Sequence, residues 1–472
     1  MDMTHSNTGR RLALMASAAL VGAAFAAAPA AAQGDPNVCD GVIDGPVELT
    51  MTIHSGTNPG PEAETVDAFN TGVGADLGVH VTMNALGEGA YETALQSAAA
   101  AGEMPDIVDM DGPFLYGFAW SGLVRSIASC FTDEELAAFL PSIIQQGTYQ
   151  DTLYSLGTYD SGLGLWAHKS MLDAVGARIP EGPEDAWTVD EFTQILHDLK
   201  DAGYGANGPL DIKWAYGAGE WRAYGFAPMI QSAGGDLIDR STMASSEGFF
   251  NGPEAVGAWT TFQNWVNDGL VDLVAEDDSN VTVGPDGEAN TGDETPLSWV
   301  GHWMYPLYNE TFGDDLLNLP LPNFGNGAKT GMGSWNWAAS TGPDGVPNTG
   351  DEVDLDAVAA FIKHVTSAPE IKRFTDANGA VPATQEALAA SPLYQPGGIM
   401  YIYVQNLQNA HTDTTLDQWG AVPRPATPAY GFIRDRFSDV MADIVAGADV
   451  QSTLDAAAQA IDQEIEDAGY AE

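Results

Sequence analysis

The chain has 472 residues, 44% hydrophobic and 9% aromatic, which is ample for a buried core and excludes intrinsic disorder. It carries 66 acidic residues against 16 basic ones, a formal net charge of −50. Such a surface repels nucleic acid and anionic lipid, both of which are held through Lys and Arg, and it disfavours phosphorylated or carboxylate ligands. The excess suits a saline setting, where screening relieves self-repulsion, and it also serves solubility; both readings stay open.

The N-terminus reads as an export signal. Arg10 and Arg11 precede an apolar stretch from Leu12 to Phe25, which runs into the small-residue segment 26–32. That order predicts a cleavable signal peptide over residues 1–32, with cleavage after Ala32 and a periplasmic destination. The apolar part is shorter than the ~20 residues of a membrane span. A retained anchor helix is the plain alternative, and the paired arginines match a twin-arginine signal only in part. About 440 residues then remain, more than one core usually serves, so two lobes are expected. Cys39 and Cys130, the two cysteines, predict a disulfide in an oxidising compartment.

Val47–Ile53 alternates like a strand and breaks into a Gly- and Pro-rich loop at 54–60. A helix from Pro61 would turn Thr65, Val66 and Phe69 inward. A strand over 79–83, a helix over 91–101 and a strand over 106–110 follow. Strands alternating with helices predict an α/β fold with a parallel sheet, and ligands there sit beyond the carboxyl ends of the strands. Thr57, Asn58, Asp109 and Asp111 occupy those loops and are candidate ligand contacts. Thr188 with Glu191 predicts a capping box opening a helix through Phe192, Ile195, Leu196 and Leu199. Pro253 opens a helix carrying Val256, Trp259, Phe262 and Val266; residues 356–366 and 450–468 are further amphipathic helices.

Two loops carry a repeat, residues 283–295 and 341–353, identical at nine of thirteen positions. Asp286, Asn290 and Asp293 in the first, and Asp344, Asn348 and Asp351 in the second, offer closely spaced oxygens among turn-forming glycines. Calcium binding and two solvated acidic turns are both open; no cofactor is required. The chain has no Gly-x-Ser-x-Gly elbow, phosphate loop, His-Glu-x-x-His pair or cysteine cluster, and its eight histidines are scattered. No carboxylate pair is singled out for glycoside cleavage.

Several segments in order are similar to the extracellular sugar-binding proteins of ABC importers, the family of maltose- and trehalose-binding proteins. They are Gly102-Glu-Met-Pro-Asp-Ile-Val108, Trp120-Ser-Gly-Leu123, Leu165–Leu172 (with His168 where Asn is usual), Trp187–Phe192, Gln231–Asp236 and Gly379–Pro382. The resemblance spans roughly 46–469. It implies a two-lobed periplasmic-binding-protein fold with several interlobe crossovers, near 157–165, 328–333 and 380–386. Lobe one would comprise 46–158 and 331–381, lobe two 159–330 and 382–472. It further implies a non-enzymatic monomer that holds a mono- or oligosaccharide between the lobes and delivers it to the permease subunits of an importer.

Sugars present hydroxyls and apolar C–H faces, so their sites combine rings with carboxylates and a few charged donors. Glu220, Trp221 and Arg222 place an acid, a ring and a base in one turn. By the resemblance, Trp303 and Trp335 stack on sugar, Glu220 accepts hydroxyl protons and Tyr430 closes over ligand. The plain alternative for each tryptophan is a place in the core, and alternation turns Trp337 inward. Alternative functions are a polyamine or glycerol phosphate ligand on the same fold, or an exported glycoside hydrolase.

Overall fold

In the computed structural model, the strand Val47–Ser55 and the strand Val79–Gly87 pair in parallel over their full length, Val47 opposite Val79 and Ser55 opposite Gly87. The structure describes residues 38–470 except 44, 56–59, 276, 344, 347–351 and 411–417. The predicted signal peptide, Thr57, Asn58, Asp344, Asn348 and Asp351 therefore lie outside the described residues. Among the described residues no helix is long and apolar enough to cross a membrane.

Two sheets organise the chain from Pro36 onward into two α/β lobes. The first sheet orders its strands Val79–Gly87, Val47–Ser55, Ile107–Asp111, Trp335–Ser340 and Val124–Arg125, with Ser155–Gly157 also on Trp335–Ser340. The second orders Val271–Asp272, Leu210–Asp211, Leu297–Gly301, Leu163–His168 and Leu316–Leu319. The three strands read from the sequence pair in parallel as expected, but both sheets also hold antiparallel strands. Trp335–Ser340 runs antiparallel to Ile107–Asp111, and Leu163–His168 antiparallel to both of its neighbours. Each of these strands enters its sheet from a segment that has crossed between lobes, so it arrives from the opposite end.

Side-chain alternation explains why the strands are apolar throughout. Leu163, Leu165 and Ala167 point into one core with Leu297 and Trp299, while Trp166 and Val300 fill the opposite face. In the first sheet Ile107, Trp337 and Ala339 enter one core and Val108, Met110 and Ala338 the other. Helix faces agree with the sequence pattern: Thr65, Val66 and Phe69 are buried on Gly60–Thr71, and Phe192, Ile195, Leu196 and Leu199 on Val189–Asp201. Two details differ. The Thr188 hydroxyl accepts the Glu191 N–H at 3.2 Å, but the capping box is only half formed, because the Glu191 carboxylate binds Arg178 instead. On Pro253–Asn267, Trp265 takes the core position, while Val256 and Val266 are only partly buried.

The crossing segments lie side by side. Tyr159–Asp160 pairs with Val381–Pro382, and Lys329–Gly331 with Gly420–Val422. Asp160 is buried between them and accepts the N–H groups of Ser161 (2.8 Å) and Gly333 (3.2 Å). Cys39 and Cys130 form the predicted disulfide, which pins the start of the described chain to the first core.

Candidate functional site

Asp109 and Asp111 occupy the carboxyl end of the Ile107–Asp111 strand, and pairing places Trp335 directly opposite Asp111. Trp335 and Trp337 share one face of their strand, but Trp337 is buried in the core, whereas Trp335, at the strand's first position, is half-buried and stacks on His54, ring centroids 3.5 Å apart. His54 Nδ1 lies 2.5 Å from Asp109 Oδ2. Burial raises the Asp109 pKa, and His54 opposes the shift. This half of the site thus offers an indole and a set of carboxylates.

The second lobe contributes rings and an acid. Glu220 opens the helix Glu220–Ala233. Trp303 lies against Gly301, where a Cβ would collide with the indole, and meets Trp221 edge-on at 6.0 Å. Trp221 is anchored by its indole N–H to the Ile212 carbonyl at 3.1 Å. Tyr430, at the start of Tyr430–Val445, donates its hydroxyl to Glu220 Oε1 at 2.8 Å.

One guanidinium joins the two halves. Arg424 binds Asp111 with two nitrogens, at 2.7 and 2.5 Å, and Glu220 Oε1 at 2.5 Å. Its plane stands 4.8 Å from the Tyr224 ring centre. Burial pushes the Glu220 carboxyl up to about 7; Arg424 opposes that rise and Asp111 adds to it. A second cross-lobe pair, Arg434 with Glu92 at 2.5 Å, stands beside the contact of Phe114 and Tyr430. These contacts join the two lobes, and Arg424 fills the space between Asp111 and Glu220. A groove of about 640 Å³ lies at the lobe boundary, lined in part by Tyr149, Met243 and Thr427, away from the predicted contacts.

A profile of the bacterial extracellular solute-binding protein family matches residues 64–400. The chain belongs to that family. The fold of this solute-binding protein is also that of solved sugar-binding proteins. The cyclic alpha-maltosyl-1,6-maltose binding protein of Arthrobacter globiformis superposes with a TM-score of 0.68 at 20% identity, covering 90% of this chain and 100% of that one. Maltose-bound MalE3 of T. maritima gives 0.69 at 17%, covering 88% and 99%. The sugar-binding protein MalE of Xanthomonas citri gives 0.67 at 16%, covering 89% and 98%.

Within this solute-binding protein Asp111, Glu220 and Tyr430 converge on one point. Trp335 with His54 and Tyr91, and Trp221 with Trp303, form separate ring clusters, one on each lobe. Arg222 does not join them: its guanidinium lies over the Trp214 ring at 4.0 Å and donates to the Ser438 carbonyl, because the helix turns it to the opposite side from Glu220's contacts. Sequence reading missed Arg424, the base that the structure places between Asp111 and Glu220. Its signal was its setting, a basic residue between Pro423 and Pro425 in a chain with few basic residues.

The first repeat loop uses its oxygens internally. Asp293 accepts the Asp286 N–H at 3.0 Å and the Thr291 hydroxyl at 3.1 Å, and the Asn290 amide donates to the Thr311 carbonyl. Among the described residues no group of three or more His, Cys, Asp or Glu side chains is placed to hold a metal ion.

Proposed function

We propose that this protein captures a mono- or oligosaccharide between its two lobes and presents the closed form to the permease subunits of an ABC-type importer. It does so as a monomer in the periplasm, after loss of residues 1–32, and without altering the ligand covalently. The lobes are drawn as 46–158 with 331–381, and 159–330 with 382–472. The observation that carries the reading is the cross-lobe meeting of Asp111, Glu220 and Tyr430, with half-buried Trp335 paired opposite Asp111 and half-buried Trp221 and Trp303 on the second lobe. Carboxylates accept hydroxyl protons and indoles cover C–H faces, which is the pairing a pyranose needs. The sugar ligands named for the structural relatives agree with it.

Contacts made by both lobes favour the closed state, because only closure realises all of them. A ligand bound to the folded state also stabilises it, by about 2.7 kcal/mol at a hundredfold excess over Kd. Thermal unfolding is measured with glucose, maltose, trehalose, spermidine and glycerol 3-phosphate, each with and without EDTA. At least one saccharide is expected to raise Tm by several degrees. A shift with spermidine or glycerol 3-phosphate and none with a saccharide would refute sugar capture, and turnover of an aryl glycoside would refute a purely binding role.

A further inference from the structure

We propose that Arg424 is the specificity-determining residue of this site: it selects uncharged hydroxyl-bearing ligands and couples their capture to lobe closure. The proposal rests on the sugar-binding reading and deepens it.

The guanidinium sits in a socket drawn from several parts of the chain. Asp111 comes from the first sheet, Glu220 and Tyr224 from a helix of the second lobe. Gly333, on a crossing segment, lies directly against it, and a Cβ at that position would collide with Arg424 Nη2. Pro423 and Pro425 restrict the backbone on either side of Arg424. Without the guanidinium, two carboxylates on opposite lobes would face each other on closure, and like charges in a partly dry cleft repel.

Among the described residues, two atoms in the socket have no hydrogen-bond partner: the buried donor Arg424 Nε and the buried acceptor Glu220 Oε2. The Arg424 side chain itself is only 9% exposed. A buried polar atom without a partner is costly, so the closed form gains from a ligand that both accepts and donates. A hydroxyl does both. A phosphate or carboxylate brings no donor when ionised and would have to lie among the oxygens of Asp111 and Glu220. An ammonium brings only donors and competes with Arg424 for the same oxygens.

Two variants test this, R424Q and G333A. The first removes the charge; the second keeps every charge and displaces the guanidinium. Circular dichroism and Tm confirm that each is folded. Calorimetric titrations use glucose, maltose and trehalose, with spermidine and glycerol 3-phosphate as controls, and small-angle scattering gives the radius of gyration without ligand. We expect both variants to lose at least tenfold in affinity for the saccharide that binds wild type, and the ligand-free R424Q protein to be more open than wild type. Saccharide affinity within twofold of wild type, or an unchanged ligand-free radius in R424Q, overturns the role of Arg424 and leaves sugar capture standing. Wild-type binding of spermidine or glycerol 3-phosphate, with none of a saccharide, overturns both.

Discussion

Trp335 and Trp337 stand two residues apart on one strand, and their burial separates their roles. Trp337 is packed in the first core, and truncating a buried Trp typically costs about 3–5 kcal/mol. Trp335 stacks on His54 at the strand end beside Asp111. W337A is therefore expected to lower stability by about that amount in urea unfolding, while W335A weakens saccharide binding and costs less stability. Equal losses of stability, with equal affinities, would place both rings in the core. Glu220 makes a pH prediction. Its folded pKa, about 7, lies above its ordinary 4.5, so folding takes up a proton between those values. That contribution to stability is complete below pH 4.5 and is lost as pH rises through 7. Burial raises the pKa and Asp111 adds to the rise, while Arg424, Arg434 and the Tyr430 hydroxyl oppose it. The raised pKa values of Asp109, Asp160 and Glu62 act in the same sense, and His302, lowered to about 4 by burial, acts oppositely in acid. Between pH 5 and 8 wild type should lose more Tm than E220Q. Parallel Tm curves for the two proteins would show that Glu220 does not titrate in this window.

At the scale of elements, the helices were the most legible part of the sequence, because a period of 3.6 identifies a buried face without reference to anything distant. Thr65, Val66 and Phe69 illustrate this. Strand direction was not legible. Whether Trp335–Ser340 joins its sheet parallel or antiparallel depends on which lobe the chain has just left, and no local pattern records that. The half-formed cap at Thr188 is similar: Glu191 had a second partner, Arg178, 13 residues away. The disulfide joins residues separated by 91 positions. Closing so long a loop limits the unfolded chain, and loss of a native bridge typically costs about 2–5 kcal/mol. The C39S/C130S double variant is expected to show a loss of that order in urea unfolding at equal saccharide affinity. Stability equal to wild type would show that the terminal segment adds nothing to the first core.

For the whole molecule, the two-lobed architecture could be inferred from ordered segments such as Gly102–Val108, but the composition of the site could not. Arg424 is distant in sequence from Asp111 and Glu220, and only the crossing segments bring it to both. Arg222 was the natural choice from sequence because it is adjacent to Glu220, yet helix geometry turns it away. The central claim, that two halves close on a sugar, is tested most directly by small-angle scattering of the wild-type protein during titration with the saccharide giving the largest thermal shift. The radius of gyration should fall and saturate at the Kd found by calorimetry. Saturable binding with a constant radius, or contraction driven by spermidine and by no saccharide, would contradict it.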